Sequence, residues 1–203
     1  MAQALIPIRD VVARNPVPLE PEVEDLVRRA CFANAAAALA EFRVRPDEIV
    51  AHLTQAGLAV ASRADRVLDH LDGVAHAVAC VRGDALAWTE LANRHGWCLE
   101  RAAMDRFGVE GGLAARRFWF DARRGTLGAP EDRVRDDGWP LPRLQWYAGL
   151  RPLRHWLADR LFGGIEARLE SSQRAESSPL ERLDSLPGGR SLASPAVNAA
   201  TAT

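Results

Sequence analysis

Residues 77–96 read AVACVRGDALAWTELANRHG, and this stretch decides how the chain is built. A run of small apolar residues stops at Arg82-Gly83-Asp84, and Asp84 stands where a helix N-cap belongs. Beyond it Trp88, Leu91 and His95 return at intervals of three or four, the spacing of one helix face. Two helices separated by a tight Gly-Asp turn are therefore predicted. Upstream, Val67, Leu68, Leu71, Val74, Ala75 and Val78 keep the same helical phase, with Ser62 and Asp65 resembling a capping box. Further back, Pro46-Asp47-Glu48 opens a helix that turns Ile49, Val50 and Leu53 inward and ends near Gly57. Glu20-Pro21-Glu22 opens the first helix, carrying Val23, Leu26, Val27, Ala30, Cys31, Ala37 and Leu39. Residues 1–18 read as an irregular leader, since Pro7, Pro16 and Pro18 block regular structure.

Downstream, the helix begun at Asp84 runs on through Leu99, Ala102 and Phe107, and Gly108 is its expected C-cap. A fifth helix is predicted over 110–124, with Phe118-Trp119-Phe120 between Arg116-Arg117 and Arg123-Arg124. Glycine, proline and charge mark 125–142 as a loop, and a sixth helix is expected from Pro152 to Leu169. After Glu170 large apolar residues become sparse, so a disordered tail is predicted. No strand alternation of useful length occurs. The expected fold is all-α: a compact bundle of about six helices with a disordered C-terminal tail. Its expected parts are a leader (1–18), an N-terminal helical pair (19–61), a main helical body (62–170) and the tail (171–203).

Composition narrows the function classes. The chain has 203 residues, 48 % of them hydrophobic, which suffices for a core. All 26 basic residues are arginine, so arginine abundance by itself does not indicate phosphate binding. The net charge of -1 excludes a generally basic coat, and any nucleic-acid site must be local. Cys31, Cys80 and Cys98 are scattered, which argues against a disulfide framework or a zinc site. Arg9 and Asp10 interrupt the start, no long apolar span occurs, and a soluble cytoplasmic protein is expected.

Catalysis finds little support. No nucleophile elbow, phosphate loop or metalloprotease motif occurs, and His52, His70, His76, His95 and His155 are dispersed. Glu131, Asp132, Asp136 and Asp137 alternate with arginines in the expected loop and read as a solvated turn. Cys98 has no base tied to it. A non-enzymatic protein without cofactor or metal is expected.

Local charge is more telling around Gln145–Leu157. Between residues 143 and 168 stand Arg143, Arg151, Arg154, Arg160 and Arg168 against only Asp159 and Glu166. Trp146, Tyr147 and Trp156 lie among them. Exposed aromatics beside arginines suit single-stranded nucleic acid, with bases stacked and phosphates neutralised. The same pattern also suits an ordinary amphipathic helix whose tryptophans are core. Residue chemistry leaves both open.

Two motifs carry a resemblance. Gly83-Asp84-Ala85-Leu86-Ala87-Trp88-Thr89-Glu90-Leu91, followed by Arg94-His95-Gly96, resembles the opening of region 2 in extracytoplasmic-function RNA polymerase sigma factors. Tyr147-x-Gly149-x-x-x-Leu153-x-x-Trp156-Leu157 is similar to the stretch of that family that meets the promoter. The resemblance covers about residues 65–169. It implies a transcription initiation protein that binds the clamp helices of RNA polymerase core and promoter DNA, and it allows an anti-sigma-like regulator. It assigns promoter DNA to Trp146, Tyr147, Arg151, Arg154 and Trp156. It assigns polymerase to helix 110–121, through Leu113, Arg116, Arg117 and Phe118.

The chain also departs from the family. The polymerase-facing helix there reads like D-A-E-D-L-V-Q-E-V-F, whereas here Val109-Glu110-Gly111-Gly112-Leu113-Ala114-Ala115-Arg116-Arg117-Phe118 has lost acids and gained arginines. Gly111-Gly112 is expected to weaken that helix start by about 1 kcal/mol per glycine. Gly163-Gly164 replaces further recognition residues, and no counterpart of the family's second helical domain, region 4, is expected. The alternative is a degenerate sigma-like module that keeps the helices for protein–protein contact and has lost DNA binding.

Overall fold

In the computed structural model, residues 18–33, 36–56, 64–129 and 141–177 are described. These contain seven α-helices and no strand. They are α1 (Pro21–Ala33), α2 (Ala36–Glu41), α3 (Pro46–Gln55), α4 (Ala64–Leu68), α5 (Leu71–Val81), α6 (Ala85–Leu127) and α7 (Leu153–Ser177). The all-α expectation holds. Of the predicted helices, the one over 62–82 is divided at the Asp69–His70 turn, and the two meeting at Gly108 are taken together as α6. The first is described as α1 and α2 on either side of residues 34–35, which lie outside the described residues. The leader, Ser62 and Gly57 lie outside the described residues.

Helix α5 is the centre of the body. Eight of its eleven residues are buried, including Leu71 and the run Val74–Cys80, as expected of a helix surrounded by others. Helices α2, α3, α4 and α6 pack against it, while α1 packs on α3 and α4, and Val23, Val27, Ile49, Leu53, Trp88 and Leu91 join the same core. The helices expected over 19–61 and the body expected over 62–170 thus share one core. By contacts, the chain through Ile165 forms one unit, and the part from Glu166 belongs to a second.

The Gly-Asp turn forms as the sequence indicates. The Asp84 carboxylate accepts from the backbone N–H groups of Leu86 (2.9 Å) and Ala87 (3.3 Å), capping α6. The Trp88 indole donates to the Cys80 carbonyl at 2.9 Å, tying the start of α6 to the end of α5. Between them the Arg82 guanidinium donates to the Phe42 carbonyl at 2.5 Å.

Gly108 ends the first of two helices, as the sequence indicates: its backbone (φ 66, ψ -152) is non-helical and forms an elbow between the two parts of α6. That backbone region is open essentially to glycine alone. The chain folds back there, so α6 is a hairpin of two antiparallel arms, 85–107 and 109–127. Gly111 faces Ala103 so closely that an added Cβ would lie 2.2 Å from its carbonyl oxygen. The glycine pair therefore does more than weaken a helix start: its lack of side chains lets the arms touch. The second arm also reaches Leu127, and α7 runs to Ser177, past the expected ends at 124 and 169.

Candidate functional site

The aromatic–arginine segment folds into a corner. One 3-10 turn (Leu144–Trp146) leads into Tyr147, then α7 starts at Leu153. Tyr147 is only 1 % exposed, and its hydroxyl donates to the Arg151 carbonyl at 2.8 Å. Its own carbonyl accepts from His52 Nε2 of α3 at 2.8 Å, which fixes the imidazole with its proton on Nε2. Burial pushes His52 down to about 4, the Tyr147 bond opposing in part. The Tyr147 hydroxyl is itself pushed up by burial.

Trp156 is 6 % exposed and meets the Tyr147 ring edge-on, with centroids 5.7 Å apart. It shares the inner face of α7 with Leu153, Leu157, Leu161 and Ile165. Tyr147 and Trp156 are therefore core residues, which corrects their assignment as surfaces on which bases stack. For Trp156 the cause is helical phase, since residues three, four and eight after Leu153 all point inward with it, whereas Tyr147, in the turn before α7, is held inside by its bonds to His52 and Arg151.

The remaining members of the expected DNA set are less buried. Trp146 is half-buried, with the Arg143 guanidinium 4.9 Å from its ring. Arg151 is exposed and ion-paired to Asp159. Arg154 is exposed and lines a cleft of about 460 Å³ with Arg94, His70, His76, His95 and Asp72. The fold thus brings together histidines that are dispersed in sequence. His76 is nonetheless held structurally, donating from Nε2 to the Ala87 carbonyl at 2.7 Å, and burial lowers its affinity for a proton. Among the described residues no group of three side chains is placed to hold a metal ion.

The second expected set lies on the second arm of α6. Leu113 is exposed. Arg116 bridges the arms to Glu100 at 2.7 Å, and Arg117 reaches the buried carboxylate of Asp121 at 3.5 Å. Phe118 is 4 % exposed and belongs to the core, which corrects its assignment as a polymerase contact. Phe120, two positions on, is 67 % exposed instead. Phase again explains this: Gly111, Ala115, Phe118 and Ala122 turn toward the core, which leaves Leu113, Phe120 and Leu127 outside. The interval of seven between these three was the signal in the sequence that separated Phe120 from Phe118.

No family model, no curated protein and no solved structure matches the chain. Among the described residues no helix is long and apolar enough to cross a membrane.

Proposed function

We propose that the chain is a non-enzymatic docking protein whose working surface is the α6 hairpin, and that its partner is the transcription machinery, as the resemblance to sigma region 2 implies. One observation carries the reading. The second arm of α6, of which the resemblance assigns 110–121 to polymerase, presents Leu113, Phe120 and Leu127 in solvent, beside Arg116, Arg117, Arg123 and Arg124. Isolated exposed apolar residues are ordinary on protein surfaces, but a repeating row of them on one helix is the form a docking face takes.

Promoter binding is the second reading, and the burial of Tyr147 and Trp156 weighs against its stacking form. What favours a remnant of it is Arg154, exposed beside a cleft, with Trp146 half-exposed at the same corner. Such a site would hold a phosphate backbone without reading bases.

Two measurements test this. Purified RNA polymerase core should be retained by the immobilised chain, and Phe120→Asp should lose at least about tenfold in affinity. Absence of retention would sink the polymerase assignment. Fluorescence anisotropy with single-stranded DNA should give no tight binding. Salt-sensitive binding that falls on Arg154→Ala would instead restore the promoter reading.

A further inference from the structure

The two arms of α6 carry exposed apolar residues at the same interval. Trp97 and Met104 on the first arm are seven residues apart, as are Leu113, Phe120 and Leu127 on the second. Seven residues make nearly two helical turns, so each set forms a row. The rows lie on one side of the hairpin. The arms meet at Gly96 against Trp119 and at Met104 against Gly112, with the Glu100–Arg116 ion pair between. Because the arms run in opposite directions, one step along each rotates by about 100° in opposite senses when viewed from one end. Trp97 follows Gly96 and Phe120 follows Trp119, so both emerge on the same side. The opposite side sends Leu91, Leu99, Phe118 and Ala122 into the core.

Charge indicates the occupant. Between successive apolar residues of the second arm stand Arg116-Arg117 and then Arg123-Arg124, one arginine on either flank of the row. The second arm carries Glu110 and Asp121 against these four, with Asp121 buried beneath Arg117 and Glu100 of the first arm paired to Arg116, so the arm keeps a net positive charge. A second copy packed second arm to second arm would set arginine flanks against arginine flanks, which opposes that association.

We infer that the two-armed face seats an acidic amphipathic helix of a protein partner, with apolar residues every seven positions and carboxylates on both flanks. The inference rests on the docking reading above and adds the partner's chemistry.

Calorimetric titration of the full chain with two synthetic helical peptides tests this. Each is about four heptads long with leucine at the apolar positions. One carries glutamate on its flanks and the other lysine. The glutamate peptide should bind and the lysine peptide should not. Arg123→Glu should weaken the glutamate peptide about tenfold, and Phe120→Asp and Trp97→Asp should each weaken it at least as much. All three positions are exposed, and unchanged helical circular dichroism would verify that the fold persists. Binding of neither peptide, equal binding of both, persistence after Phe120→Asp and Trp97→Asp, or self-association through this face would each overturn the inference. Retention of polymerase without peptide binding would leave the docking reading standing and remove the acidic helix. Peptide binding without polymerase would do the reverse.

Discussion

Two regions of this molecule look alike in sequence and are opposite in structure. The corner at 145–157 and the second arm of α6 both intersperse aromatics with arginines. In the corner the rings of Tyr147 and Trp156 are enclosed, and the charges are displaced outward: Arg151 to Asp159, Arg160 to 5.2 Å from the Trp156 ring. On the arm, Phe120 points to solvent with arginines before and after it. The same residue types therefore signify core in one place and surface in the other. What separates them is which side chains share each aromatic's helical phase. Trp156 travels with Leu153, Leu157 and Leu161, whereas Phe120 travels with Leu113 and Leu127 across a face that nothing among the described residues covers.

The contrast can be broken by substitution, and the corner should yield first. Trp156→Ala should destabilise the fold by about 3–5 kcal/mol, read as a shift of the urea midpoint. A loss under about 1 kcal/mol would mean that the ring is not core. Next comes pH. His52 must stay neutral inside, because burial pushes it from its ordinary 6.5 down to about 4. The unfolded chain binds this proton between those values and the folded chain does not. Stability should thus be complete above 6.5, decline by about 3 kcal/mol as pH falls toward 4, and level off below. Burial acts on His76 in the same direction and steepens the decline. Urea titrations of wild type and His52→Gln at neutral pH and near 4 should give a smaller pH difference in the variant. An equal difference would refute the buried imidazole.

The arm should respond more gently. Gly111→Ala places a Cβ against the Ala103 carbonyl, forces the arms apart, and should cost about 1–3 kcal/mol together with partner affinity. Phe120→Ser should change stability by no more than about 0.5 kcal/mol while abolishing retention of the partner. A large stability loss there would make Phe120 a core residue and erase the contrast.

These differences also mark what was legible in advance. The Asp84 cap and the apolar phase of α5 were readable because each depends on residues within a turn or two. The inward face of α7 was equally local, yet the chemistry of tyrosine and tryptophan beside arginine obscured it. Phe118-Trp119-Phe120 gave no phase by itself, since three consecutive positions sweep most of a helix circumference. Their orientation is set by small residues packing against the other arm. That packing depends on Gly108, whose elbow looks in sequence like any helix end. The arrangement of His70, His76 and His95 around one cleft was unreadable for a related reason, since it follows from the packing of α5 against α6.

The elbow at Gly108 has a consequence for how the protein is made. Both halves of the proposed docking face lie in one uninterrupted stretch, from Trp97 to Leu127. The contacts that hold them, from Ala103–Gly111 out to Gly96–Trp119, join residues close along the chain. Closing such short loops costs little entropy, and structures dominated by near-neighbour contacts form quickly. On a ribosome the hairpin can zip together while Tyr147 and Trp156 are still held inside it, so this surface would form before the aromatic corner that completes the core.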